Sequence, residues 1–211
     1  MIVDFRTYAY APSDFPAFLR MYNERGFAVT TRCLGTTLGI FTAHSGRANR
    51  TLQLFAYRDL DHRDECRARL RQDTDWLSFI KEAAPLIRDQ ENVILEPVAG
   101  PWRDGAGALG VSARGQSVAV FELRRERVSS KEHPGHLAGW SALCGESGPA
   151  SVLRPLTGDM NTVYVLTRYA SDAARAANLR DAAAVSPLLA DGANASVDTE
   201  LWLPTDYSPQ L

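Results

Sequence analysis

The sequence predicts an α+β protein made of two successive units, each ordered strand, helix, strand, strand, helix, strand. Three observations carry that prediction. Residues 32–58 read as a β-hairpin: Thr51–Tyr57 alternates strictly, and polar residues 44–49 join it to the strand-like run Leu34–Thr42. Helical apolar stripes flank this hairpin on both sides. The pattern then returns, because Val163–Ser171 aligns with Thr51–Asp59 and sets Tyr169 opposite Tyr57 at an offset of 112 (169 − 57).

In chain order, Ile2–Tyr10 alternates Val3, Phe5 and Thr7 against Asp4, Arg6, Tyr8 and Tyr10, the period of a strand. Pro12-Ser13-Asp14 opens a helix with Ser13 as N-cap and Phe15, Phe18, Leu19 and Tyr22 on one stripe. Pro16 falls in its first turn, where a missing N–H costs little, and Gly26 marks its stop. After the hairpin, Asp59 or Asp61 caps a helix of mixed charge that ends near Arg71 and reads as a solvated face. Asp73-Thr74-Asp75 restarts a helix carrying Trp76, Phe79, Ile80, Ala83 and Ile87, which Pro85 ends near Ala84. Gln90–Val98 closes the unit as a strand. The order is that of a split βαβ, or ferredoxin-like, unit, with both helices on one face of an antiparallel sheet.

Residues 99–115 are small, polar and glycine-rich and read as a linker between a unit at 1–98 and a second at 116–211. Gly105, Gly107 and Gly110 match GxGxxG formally. A dinucleotide site needs a strand before that motif and a helix after it, whereas here Pro101-Trp102 precedes and a strand follows. The second unit is expected as strand Ser117–Arg127, helix Pro134–Cys144, hairpin strands Ser151–Pro155 and Asn161–Tyr169, helix Ser171–Ala190 interrupted at Pro187, and strand Ser196–Leu203.

Composition narrows the partners. A net charge of −2 lacks the basic excess of a nucleic-acid surface. No apolar run approaches membrane-spanning length, and the first residues enter a strand without a signal-peptide pattern. Cys33, Cys66 and Cys144 are scattered and odd in number, which argues against a disulfide framework and for a cytoplasmic setting.

The first half resembles the NIPSNAP family along nearly all of residues 1–98. The resemblance is carried by Phe5-Arg6-Thr7-Tyr8, by Leu38-Gly39-Ile40-Phe41-Thr42, and by Gln90-Glu91-Asn92 before an aliphatic pair. It implies a ferredoxin-like unit of the dimeric α+β barrel type, in a superfamily of cofactor-independent monooxygenases, haem-binding enzymes, isomerases and cyclases. Two such units in one chain imply a barrel closed as an intrachain pseudo-dimer. Pairing of each unit with its counterpart in a homodimer is the alternative.

If Val3, Phe5, Leu52, Leu54 and Ala56 cover the helices, the opposite faces line a barrel cavity with Arg6, Tyr8, Gln53, Phe55 and Tyr57, and put Asp4 and Tyr10 near its rim. Trp76 helps to shape that pocket, which suits a small hydrophobic or aromatic metabolite. His44, where a strand ends, is the candidate general acid or base, and Arg6 the candidate oxyanion stabiliser. No cofactor or metal is expected: His133 and His136 flank Pro134-Gly135 rather than a regular helical pair, and no carboxylate is suitably spaced beside them. Gly145-Glu146-Ser147-Gly148 is no nucleophile elbow, since Pro149 stands where its last glycine belongs. The expected function is an enzyme of specialised or aromatic metabolism working by acid–base chemistry. A non-catalytic ligand-binding or scaffolding protein is the alternative.

Overall fold

In a computed structural model, residues 1–103, 119–144, 150–180 and 195–208 are described. Most of the expected linker, including Gly105–Gly110, lies outside the described residues, as do residues 145–149 and 181–194. The first half runs β1 (Ile2–Tyr10), α1 (Phe15–Met21), α2 (Phe27–Cys33), β2 (Thr36–Ala43), β3 (Arg50–Tyr57), α3 (Leu60–Gln72), α4 (Thr74–Ala83) and β4 (Ile87–Ala99). The second half follows as β5 (Val120–Arg127), α5 (His133–Cys144), β6 (Ala150–Pro155), β7 (Thr162–Tyr169), α6 (Asp172–Arg180) and β8 (Ser196–Pro204). The strands close into one antiparallel barrel in the order β1-β3-β2-β8-β5-β7-β6-β4. Pairing of β2 with β8 and of β4 with β6 joins the halves, so the barrel closes within the chain. Among the described residues no helix is long and apolar enough to cross a membrane.

The barrel interior is filled by the compact face of each strand: Val3, Phe5, Leu52, Leu54 and Ala56 meet Phe121, Leu123, Leu166 and Trp202. The expected assignment of faces is therefore inverted. An eight-stranded barrel is narrow enough for side chains to fill, and here the aliphatic face supplies them. Phe55 and Tyr57 turn outward instead and pack with Phe18, Tyr22, Cys66, Leu70 and Phe79 under the helices. Every residue of β3 is buried, because both of its faces are covered. Trp102, expected in the linker, joins the barrel core at 1% exposure.

Two helix expectations also change. Asp14, not Ser13, occupies the N-cap position of α1, and no side chain caps it there. Gly26 does not stop the helix. The chain passes through one widened turn, in which the Phe27 N–H bonds to the Tyr22 carbonyl, and runs on as α2 to Cys33. A Cβ at Gly26 would lie 2.7 Å from the Phe79 ring, so glycine serves close helix–helix approach rather than termination. Gly26→Ala is expected to cost about 1–3 kcal/mol by overpacking, read as a lower urea midpoint. An unchanged midpoint would mean that α2 and α4 yield freely. Elsewhere the capping holds as the sequence suggests: Asp59 accepts from His62 N–H, and Asp73 accepts from the N–H groups of Asp75 and Trp76.

The two halves share a register. On β1 and β3, Ile2 faces Tyr57 and Arg6 faces Gln53; on β5 and β7, Val120 faces Tyr169 and Arg124 faces Val165. Asp4, Arg6 and Tyr8 thus correspond to Glu122, Arg124 and Glu126, at a constant offset of 118 (124 − 6). Tyr169 stands in the second ladder where Tyr57 stands in the first.

Candidate functional site

Among the described residues, the candidate site of the first half lies between the sheet and its helices, on the outward side of the barrel wall. It is a cavity of about 260 Å³. The outward face of β1 and β3 makes its floor through Arg6, Tyr8, Gln53 and Phe55. Its walls are Phe18, Tyr22, Leu34, Leu70, Trp76, Phe79 and Ile80, with Thr30, Arg67, Ile87 and Gln90 completing the lining. Asp73 caps α4 and so fixes the turn from which Trp76 projects over the space. Tyr22 is braced by the widened turn: its hydroxyl meets Thr30 Oγ1 at 2.9 Å, and Thr30 in turn donates to the Gly26 carbonyl at 3.0 Å. Burial raises the Tyr22 phenol far above its ordinary range, so it stays protonated.

Beneath the floor sits an unusual charge cluster. Asp4, expected near a rim, is fully buried. It accepts from Arg63 Nε at 2.8 Å and from Asn92 Nδ2, and lies 3.7 Å from Arg6 and 3.6 Å from Arg67. Arg6 Nε also donates to the Tyr8 hydroxyl at 2.7 Å. Burial alone would lower the Arg6 pKa, but Tyr8 and Asp4 more than offset it, and the guanidinium stays charged. Arg67 is pulled the other way, first by burial and then by the charge of Arg6.

Of the residues singled out from sequence, Arg6, Tyr8, Gln53, Phe55 and Trp76 meet at this cavity. Tyr57 does not line it; its ring packs edge-on to His62 at 5.9 Å, and burial pushes its phenol up to about 12. His44 is elsewhere. It is exposed at the barrel rim, its N–H bonded to the Leu201 carbonyl and its imidazole 3.9 Å from Asp172 on α6. It is not among the residues that line the cavity beside Arg6. His136 is bonded through Nε2 to the buried Glu126 at 2.8 Å, so its ring serves the second half's core. Arg67 was not anticipated, since its helix read as solvated. Arg63, Cys66, Arg67 and Leu70 nevertheless form one i, i+3, i+4, i+7 stripe, which is the signal that marks the inward face.

The NIPSNAP family model matches residues 3–100. A solved NIPSNAP domain protein from Burkholderia xenovorans is 34% identical, aligned over 46% of this chain and 95% of its own, with a TM-score of 0.45. The chain belongs to the NIPSNAP family. A NIPSNAP family protein from Agrobacterium tumefaciens is 32% identical over 46% of this chain and 85% of its own, with a TM-score of 0.45. Beyond the NIPSNAP half, a candidate monooxygenase from Fusobacterium nucleatum aligns over 97% of this chain and 92% of its own, with a TM-score of 0.65 at 11% identity. At that identity the likeness is one of fold, and it covers both halves of the barrel. No curated protein matches.

Proposed function

We propose that this NIPSNAP protein takes a small hydrophobic or aromatic metabolite into the sheet–helix cavity and stabilises negative charge that develops on it. Cyclisation, isomerisation and cofactor-independent oxygenation all pass through such a charge. The observation that carries the reading is the cavity itself: about 260 Å³ walled by aromatic rings, with Arg6, Tyr8 and Gln53 converging on one floor. That combination of apolar wall and few polar groups is the usual form of a small-molecule site. Because the Tyr8 oxygen receives the Arg6 Nε–H, its own proton is free to donate to a bound oxygen. A fixed guanidinium and a phenol on one strand face form a preorganised oxyanion site. The three free, buried thiols support a cytoplasmic setting.

One observation favours a second reading, binding without turnover. Among the described residues, the lining contains no histidine, aspartate or glutamate to remove a proton. Native mass spectrometry after incubation with a mixed pool of aromatic small molecules tests the shared premise. One class should be retained, and Ile80→Trp, which fills the cavity, should reduce retention about tenfold or more. Consumption of the retained compound in aerated buffer, slowed about 100-fold or more in Arg6→Ala, then supports catalysis. Retention without consumption supports binding alone, and no retention sinks both.

A further inference from the structure

The cavity has a cation more than its own chain compensates. Among the described residues, Asp4 is the one carboxylate within 4 Å of Arg6 or of Arg67, and it is shared with Arg63. Arg63 has a further carboxylate in Asp64, but that side chain is 76% exposed and does not line the cavity. Two guanidiniums, Arg6 and Arg67, therefore face the space over a single buried negative charge. Uncompensated cations at a half-buried site are costly unless an anion joins them.

The second half supplies an internal comparison. Its strand arginine, Arg124, corresponds to Arg6, yet it is bound on its own strand by Glu126, with Nη2 2.7 Å from the carboxylate. Glu126 stands where the first half has Tyr8. The helix cation below is retained, for Arg175 bonds to Glu122 as Arg63 bonds to Asp4, and the two arginines are 112 residues apart (175 − 63). At the same spacing Arg67 corresponds to Leu179, which lines the second half's smaller cavity of about 200 Å³. The half that has a built-in carboxylate has lost the second arginine, and the half that has two arginines lacks the carboxylate. The missing charge belongs to something that enters.

We propose that the first-half cavity takes a monoanionic amphiphile, a carboxylate with an aromatic or branched apolar body. The carboxylate sits between the Arg6 and Arg67 guanidiniums, with Tyr8 beside it, and the body lies against Trp76, Phe79 and Ile80. Arginine presents a fixed fork of donors that suits a carboxylate, and such charge-assisted bonds are the strong ones. This rests on the small-molecule reading above and adds the charge of the ligand to it.

Isothermal titration with 2-naphthoate and with its neutral counterpart 2-naphthamide tests the charge. The carboxylate is expected to bind on the order of tenfold to a hundredfold tighter than the amide at pH 7. Arg67→Leu, which installs the residue of the second half, should cut that preference about tenfold, chiefly by weakening the carboxylate. Its melting temperature without ligand should stay level or rise, because it relieves repulsion with Arg6; this distinguishes lost binding from lost folding. Should Arg67→Leu fail to fold, Arg67→Gln serves the same comparison. Equal affinities for the two probes, or a preference left undiminished by the Arg67 substitutions, would overturn the anion assignment while leaving the cavity reading intact. Binding of neither probe would overturn both.

Discussion

Asp4→Asn is expected to cost about 3–5 kcal/mol of folding stability, although it changes neither the size nor the shape of the side chain. The carboxylate is fully buried and collects two hydrogen bonds and two further guanidiniums within 4 Å. Replacing it by an amide leaves Arg6, Arg63 and Arg67 facing one another with side chains only 11%, 16% and 23% exposed. The loss should appear in urea as a lower midpoint with little change in slope. Adding Arg67→Leu to Asp4→Asn should recover part of the loss, because one of the stranded cations goes with it. A double-mutant cycle on these two positions reads the coupling directly. A loss below about 1 kcal/mol for Asp4→Asn would mean that water reaches the cluster and that the carboxylate holds nothing together.

The element order was legible because helical and strand periodicities are local. The hairpin, both helices after it and all eight strands follow from side-chain spacing, to within a few residues. The grouping of Arg6, Tyr8, Gln53 and Phe55 on one face was legible for the same reason, since alternation at a period of two puts them together. Which wall that face forms was not. A period of two has no sign: it separates two faces without saying which one turns into the barrel. That is decided by closure, when β4 pairs with β6 and β2 pairs with β8, Phe41 opposite Pro204 at a separation of 163 residues (204 − 41). The surroundings of His44 were not legible for a related reason. Its position at a strand end is local, but its neighbours Leu201 and Asp172 come from the far half. Gly26 misled because glycine at a helix end and glycine under a crossing ring look alike in sequence; only Phe79 tells them apart.

The same comparison of halves explains why a likeness of fold carries so little about chemistry here. Both halves keep a carboxylate on the first strand bridged to an arginine on the helix that follows the hairpin, Asp4 with Arg63 on α3 and Glu122 with Arg175 on α6. That pair ties helix to sheet and is structural in each. The residues that differ stand two alternations further along the strand and one turn further along the helix, where Tyr8 and Arg67 are set against Glu126 and Leu179. The proposed anion site rests on those exchanges upon a common frame.

Glu126→Gln is expected to destabilise the second half by a similar amount, about 3–5 kcal/mol, and to do so with a pH signature. The carboxylate is fully buried and accepts from His136 Nε2 at 2.8 Å, Trp140 Nε1 at 2.7 Å and Arg124 Nη2 at 2.7 Å. An amide of the same shape must turn its NH2 toward one of those donors, and it leaves Arg124 without the charge that neutralises it. Burial alone would push the Glu126 carboxyl up. The bonds from His136 and Trp140 and the charge of Arg124 outweigh that, and its pKa lies below the ordinary carboxylate range. A carboxyl lowered by folding stabilises the fold fully above its unfolded pKa, about 4.3, and the contribution fades as pH falls through the lower folded value. The stability gap between the wild-type protein and Glu126→Gln should therefore be full at pH 6–7 and narrow below about pH 4. Urea titrations at pH 7, 5 and 3.5 measure it. A gap that stays constant across that range would show that the carboxyl is not ionised in the fold. Equal stability at pH 7 would show that its three donors find other acceptors, and either result removes Glu126 as the internal partner of Arg124.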